Sequence, residues 1–536
     1  MTTDAALPEP CPPDPAPDGP SLPALDWVRS RDFRTARFPV SAVDADQWTA
    51  LAKALAAGRL GLLALWGERK GVAMALHDAR ARHVAVARLA AVRGGFPSVG
   101  ALHAPAQRPE RAVRDLFGLI PHGAPDSRPW LDHGCWPQIH PLGAATPRPR
   151  PASLSSASPP SPQPYAFLPV EGESLHQVPV GPVHAGIIEP GHFRFTAQGE
   201  TVVRLEERLG YVHKGIEALM QGADLARGAE LAARTSGDST VAYGWAFAQA
   251  AEAALGVEVP RRAFWLRGIM AELERLANHL GDIGAICNDA AFALMLTHAS
   301  ALRERVLRTA DAVFGHRLMR DVIRPGGVAV DLDAAGEAQI HALLSEIRAR
   351  FPQLVELYDN TASLLDRTVG TGRLAPELAR RFGAGGYVGR ASGRDFDTRR
   401  DLRHAPYNML RFDVPVRAEG DVNARIWIRI REVEQSCALI SQMLNGLPAG
   451  PACTPLPERV GSGDGTAEGL GLVEGFRGDV LAWLALDRRG RIARCHLRDP
   501  SWFQWPLLEA AIEGNIIADF PLCNKSFNCS YSGHDL

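Results

Sequence analysis

The segment Arg234-Thr-Ser-Gly-Asp-Ser239 sets two hydroxyls and a carboxylate directly ahead of an apolar stretch. A serine hydroxyl stays protonated near neutral pH and is a poor ligand for soft metals. A carboxylate at that place caps a helix, which is the role expected of Asp238. His184 lies in Gly181-Pro-Val-His-Ala-Gly186. A neutral imidazole there can donate a hydrogen bond and act as a proton source. Glu217, in Lys214-Gly-Ile-Glu217, and Arg477, in Glu474-Gly-Phe-Arg-Gly-Asp479, add a carboxylate and a guanidinium far apart in sequence. Left unpaired in the interior, either charge would cost roughly 3–5 kcal/mol. The 8 cysteines are scattered without a Cys-x-x-Cys pair, which suits a reducing cytoplasm and no cysteine-bound iron–sulfur cluster. No G-x-G-x-x-G opens a helix, so NAD binding is not expected.

Helices must position these groups. Helical spacing predicts one over 239–255, stopped by Gly256, and a second from Pro260 to about 284. In the second, Leu266, Ile269, Leu273, Leu276 and Leu280 form one apolar face, and Glu272, Glu274, Arg275 and His279 fall on others. A further long helix is expected over 422–444. Apolar runs at 480–486 and 492–497 flank a turn at 487–490, and a last helix is expected to begin near Pro506. Gly/Pro-punctuated runs predict a strand pair over 178–195.

The chain has 536 residues, enough for two or three domains. Residues 1–24, rich in Pro, Ala and Asp, read as a disordered leader. Residues 25–142 form a first domain, with a helix over 43–57, a hairpin from the runs 60–66 and 72–77, and a helix start at 108–118. In that helix start, Glu110, Arg111 and Asp115 are expected to pair as salt bridges. Residues 143–164 are a Pro/Ser linker, and 165–536 a second domain. A formal charge of −2 gives no bulk attraction for nucleic acid. No apolar run is long enough to span a bilayer, and the N-terminus carries no signal pattern.

Leu205-Glu-Glu-Arg-Leu-Gly-Tyr-Val-His-Lys-Gly-Ile-Glu217 and Glu272-Leu-Glu-Arg-Leu-Ala-Asn-His-Leu280 resemble the large subunit of membrane-bound nickel–iron hydrogenases and its relative in respiratory complex I. Arg108-Pro-Glu-Arg-Ala-Val-Arg-Asp-Leu-Phe-Gly118 resembles the small peripheral subunit of complex I. Two proteins that are often separate thus look fused, as in some formate-linked hydrogenases. The fold implied is α+β: a small α+β domain, then a mainly helical hydrogenase-like domain with β-hairpins.

Those hydrogenases hold nickel with four thiolates. By resemblance, two of these positions fall on Ser236 and Ser239, and two on Ser530 and Gly533 of the tail. Hydroxyls and a glycine leave no soft donor set, so no metal is expected here. A shifted register that placed Cys529 there would supply a single thiolate. The resemblance gives His184 a quinone headgroup, with a tyrosine partner near Gly237 that this chain lacks. Tyr243 could serve only by reaching back. Glu217 matches a carboxylate of the metal pocket, and Arg477 an arginine over the metal's diatomic ligands. Implied partners are a small iron–sulfur subunit and membrane ion-translocating subunits. The cluster would sit in the partner, electrons would pass to quinone or another acceptor, and the assembly would attach to the cytoplasmic side of the inner membrane. The alternative is a non-catalytic module that couples a partner to an ion-translocating membrane complex.

Overall fold

The computed structural model describes residues 40–80, 82–143, 148–149, 164–185, 187–457 and 467–536. The leader expected over 1–24 and most of the linker expected over 143–164 lie outside them. Residues 148–149 of that linker pair with 138–139 as a short antiparallel ladder.

The chain opens with β1 (Val40–Val43), α1 (Ala45–Ala56), β2 (Gly61–Glu68), β3 (Gly71–Asp78) and β4 (His83–Ala90). Asp44 and Gln47 cap α1 reciprocally, and Trp48, Leu51 and Leu55 turn its apolar stripe inward. The sheet order is β1-β4-β3-β2, antiparallel except for β1 beside β4. Its strands read as unbroken apolar runs because both faces are covered. Leu62, Leu65, Met74 and Leu76 share a core with α1 and α2 (Gln107–Phe117). Leu63, Trp66, Ala73 and Val84 pack against Leu470 and Trp483 of the second domain. Glu110, Arg111 and Asp115 do not pair along α2 as expected. Glu110 accepts from the Ser98 hydroxyl at 2.7 Å, Asp115 accepts the Trp130 and Leu131 N–H groups, and Arg111 reaches Asp126 at 3.0 Å. They tie loops to the helix rather than stabilise its start.

The second part begins with a sheet of β5 (Leu175–Val180), β6 (His192–Gln198) and β7 (Thr201–Arg208). The expected strand pair therefore gains a third member. Helices α3 (Leu225–Ala233), α4 (Thr240–Leu255), α5 (Arg261–Asp289), α6 (Ala293–Phe314), α7 (Ala334–Asp359) and α8 (Val422–Asn445) follow. Around α5, the polar faces are as buried as the apolar one. Glu272 accepts from Arg399 at 2.9 Å and Tyr407 at 2.7 Å, and His279 meets Glu432 at 2.6 Å. Three antiparallel strands, β8 (Ala467–Gly475), β9 (Gly478–Leu486) and β10 (Ile492–Arg498), extend the expected hairpin. One of their faces meets the first domain and the other meets α4. A Cβ at Gly471 would lie 2.0 Å from the Ala246 carbonyl, so only glycine lets helix and strand approach so closely. Helix α9 (Ser501–Ala511) starts before Pro506, which sits inside it rather than at its start. α10 (Phe520–Phe527) and α11 (Tyr531–Asp535) carry the chain back beneath β7, where Asp535 accepts from Gly210 and Val212 N–H.

Candidate functional site

The 3₁₀ turn Gly237–Ser239 joins α3 to α4, and Ser530 opens α11 by accepting the Gly533 N–H at 2.8 Å. These two ends meet. Ser236 Oγ and Ser530 Oγ are 3.0 Å apart although 294 positions separate them. The Ser236 hydroxyl donates to Asp238 Oδ1 at 2.7 Å, and the Ser239 hydroxyl to the same oxygen at 3.2 Å. From the turn between β8 and β9, Arg477 donates to Asp238 Oδ1 at 2.8 Å, to Asp238 Oδ2, and to the Asn528 carbonyl. Phe476 stacks beneath the guanidinium at 4.5 Å.

Asp238 is therefore not the helix cap that its position suggests. Burial disfavours its charge, but Arg477 and the two serine hydroxyls outweigh that and hold the carboxyl down at about 2. For Arg477 burial likewise works against the charge, and Asp238 more than compensates, so its pKa stands above the ordinary value.

The site is not built for nickel. Its donors are hydroxyls and one carboxylate already paired with Arg477, with no thiolate among them. The fourth position is closed as well. A Cβ at Gly533 would lie 2.5 Å from Asp499 Oδ2 and 2.9 Å from Ser530 Oγ. Asp499 Oδ2 in turn accepts the Tyr243 hydroxyl at 2.8 Å. Tyr243 thus points at the Gly533 side of the site and not towards His184. Cys529 is buried beside Gln504, its thiol pushed well up by burial, and it takes no part in the serine cluster.

His184 is half-buried in the loop between β5 and β6, and burial lowers its pKa. Its Nε2 lies 3.3 Å from the hydroxyl of Tyr531, the residue after Ser530. A tyrosine partner is present after all, supplied by the tail. Tyr531 fits there because Gly191 has no side chain, since a Cβ at 191 would meet its ring at 2.6 Å. Sequence spacing gave no signal for this pair, as the two residues are 347 positions apart.

Glu217 does not join the serine cluster or pair with Arg477. At the start of the short helix Ile216–Met220 it accepts from His496 Nδ1 at 2.8 Å, Arg494 at 2.8 Å and the Leu497 N–H at 3.1 Å. Burial opposes its charge, yet Arg494 and His496 together hold the carboxyl at about 2. Of the residues proposed from sequence, Ser236, Ser239, Asp238, Arg477, Ser530 and Gly533 come together. His184 reaches them through Tyr531, and Glu217 stands apart.

Residues 289–535 match the family described as respiratory-chain NADH dehydrogenase, 49 Kd subunit, and residues 41–150 match the 30 Kd subunit. Over 450 residues the chain is 33% identical to formate hydrogenlyase subunit 5 of Escherichia coli (strain K12), covering 82% of this chain and 77% of that one. The chain belongs to the complex I 49-kDa/30-kDa subunit family, in the fused, hydrogenase-like form. Hydrogenase-4 component G of the same organism is a further member, 32% identical over 82% of this chain and 76% of its own length. A subunit from the solved structure of the membrane-bound sulfane sulfur reductase, an archaeal respiratory membrane complex, superposes with a TM-score of 0.64 at 25% identity, covering 69% of this chain and all of that one. Within the family frame, the serine cluster is where the resemblance sets the four thiolates. No helix among the described residues is long and apolar enough to cross a membrane.

Proposed function

We propose that this chain is the cavity-bearing subunit of a membrane-attached, complex I-related redox assembly without hydrogen chemistry. A small iron–sulfur subunit docks beside the serine cluster, and electrons pass from its cluster to a quinone or a comparable acceptor. Membrane subunits below translocate ions. The observation that carries this reading is the Asp238–Arg477 pair, braced by Ser236 and Ser239, in place of a thiolate set. The site is a polar, hydrogen-bonded cluster and is not filled with apolar side chains. Its own residues can handle protons: His184 and Tyr531 share a hydrogen bond at the half-buried rim, where an acceptor gaining electrons would need protons. A quinone, when bound, supplies the electron-accepting carbonyl chemistry.

A second reading, in which the chain only couples its partners mechanically, draws support from Arg477. Its guanidinium is held by protein acceptors, the Asp238 carboxylate, the Ser239 hydroxyl and the Asn528 carbonyl. The two readings part in one experiment on the purified native assembly. Elemental analysis and hydrogen evolution are measured beside electron transfer from reduced iron–sulfur centres to a soluble quinone. We expect no stoichiometric nickel, no hydrogen, and quinone reduction that falls about tenfold or more in Tyr531→Phe and His184→Ala, or about 1.4 kcal/mol of barrier. About one nickel per chain refutes the proposal. Level activity in both variants favours the coupling reading.

A further inference from the structure

Between the two fused domains lies a cavity of about 50 Å³, walled mainly by apolar side chains such as Leu65, Val113 and Leu116. Four nitrogen atoms of residues lining it have no hydrogen-bond partner among the described residues: Trp66 Nε1, Trp502 Nε1, Arg494 Nε and His496 Nε2. Trp66 is 1% exposed and Trp502 5%. Polar groups left unpaired at such depth are destabilising, so four of them on residues around one cavity imply that something satisfies them.

The donor pattern says what that is. Both indoles and Arg494 Nε offer only N–H groups. The Nδ1 of His496 faces the Glu217 carboxylate at 2.8 Å, so the proton sits on Nδ1 and Nε2 is an acceptor. A guest must then both accept and donate hydrogen bonds and be very small. Water meets each condition, and the cavity is well above the roughly 10–15 Å³ that one molecule needs.

We propose that this seam cavity holds a short chain of ordered water bound by Trp66, Trp502, Arg494 and His496, and that His496 exchanges protons with solvent through it. Protonation at Nε2 would leave the imidazolium against Glu217, which stays ionised beside it. The other charged groups there are Arg494, itself on Glu217, and Arg498, which is paired with Asp479. Trp66 stacks on the His496 ring at 5.2 Å and 18°, which fixes the plane in which Nε2 meets the water. The sheet strand β2 of the first domain thus completes a site whose ionisable groups all come from the second. The water site stands on geometry alone, whereas the proton-exchange role rests on the redox reading proposed above.

The test uses the native assembly. A high-resolution structure should show water peaks within about 3.2 Å of the four nitrogens. Val113→Phe should expel them, and Trp502→Phe should remove the peak on its indole while keeping the wall intact. Electron transfer should fall about tenfold in Val113→Phe, with a larger solvent deuterium isotope effect, at unchanged assembly. A cavity without peaks in the parent overturns the site. Turnover and isotope effect equal to the parent's in both variants overturn the proton role. If those variants are silent while Tyr531→Phe is slow, the redox reading stands and this one falls. If all are silent, the redox reading falls, and the density still decides the water site.

Discussion

Replacing Asp238 with Asn keeps the shape of the serine cluster and removes the only carboxylate that touches Arg477 in it. The Arg477 side chain is 5% exposed, so its charge loses its counter-ion inside the protein and keeps only neutral acceptors, the new amide oxygen, the Ser239 hydroxyl and the Asn528 carbonyl. Breaking a fully buried pair on one side costs about 3–5 kcal/mol. Asp238 keeps 35% of its side-chain exposure, and water there screens part of that loss, as in exposed pairs worth about 0–1 kcal/mol. The expected destabilisation is therefore intermediate, about 2–3 kcal/mol, or roughly 3–4 °C in the melting temperature of a domain of this size. The double variant Asp238→Asn/Arg477→Met removes both charges and should recover more than half of the loss, since no uncompensated charge is left buried. The assay is thermal melting of the full chain at pH 7 followed by near-ultraviolet circular dichroism, with parent, both single variants and the double compared as a cycle. Because the Asp238 carboxyl sits at about 2, below its ordinary value, the pair's contribution is fully present above about pH 4 and is lost as the pH falls towards 2. Parent and Asp238→Asn should therefore differ at pH 7 and converge in acid. An Asp238→Asn variant as stable as the parent at pH 7, or a double variant less stable than the single, would refute the argument.

The remaining expectations are briefer. Glu217→Gln should loosen the seam between the domains at pH 7, and the difference from parent should shrink only as the pH falls from about 4 towards 2, which melting curves at both pH values would check. Gly533→Ala should destabilise the tail by about 1–3 kcal/mol through contact with Asp499, and restoring cysteine at 236, 239, 530 and 533 together should still bind no nickel by elemental analysis. Gly471→Ala should be more damaging than a surface change, since backbone of α4 lies where the methyl would go; loss of soluble full-length chain would register it. Limited proteolysis should cut first within 143–164, and the two parts should still co-elute, held by the sheet-on-sheet contact of Trp66 and Leu63 with Trp483 and Leu470.

Much of this protein is legible in the residues alone. The apolar periodicity over 260–284 and 422–444 and the turn at 67–71 announce two helices and a hairpin, because those signals are local. Ser236, Ser239, Ser530 and Gly533 already leave those positions without a thiolate, since no fold can supply a ligand atom that the side chain lacks. What pairs with what is a different matter. Asp238 sits where a helix cap would, yet Arg477, 239 positions away, claims it, because a guanidinium donates stronger, charge-assisted hydrogen bonds to a carboxylate than a backbone N–H does. Glu217 has the sequence context of the cavity but is turned to Arg494 and His496 on a strand. His184 finds its tyrosine on the tail, and the seam cavity with its unpaired nitrogens arises only when β2 is laid against β10. Such contacts join residues hundreds of positions apart, and only the tertiary packing of the two domains decides them.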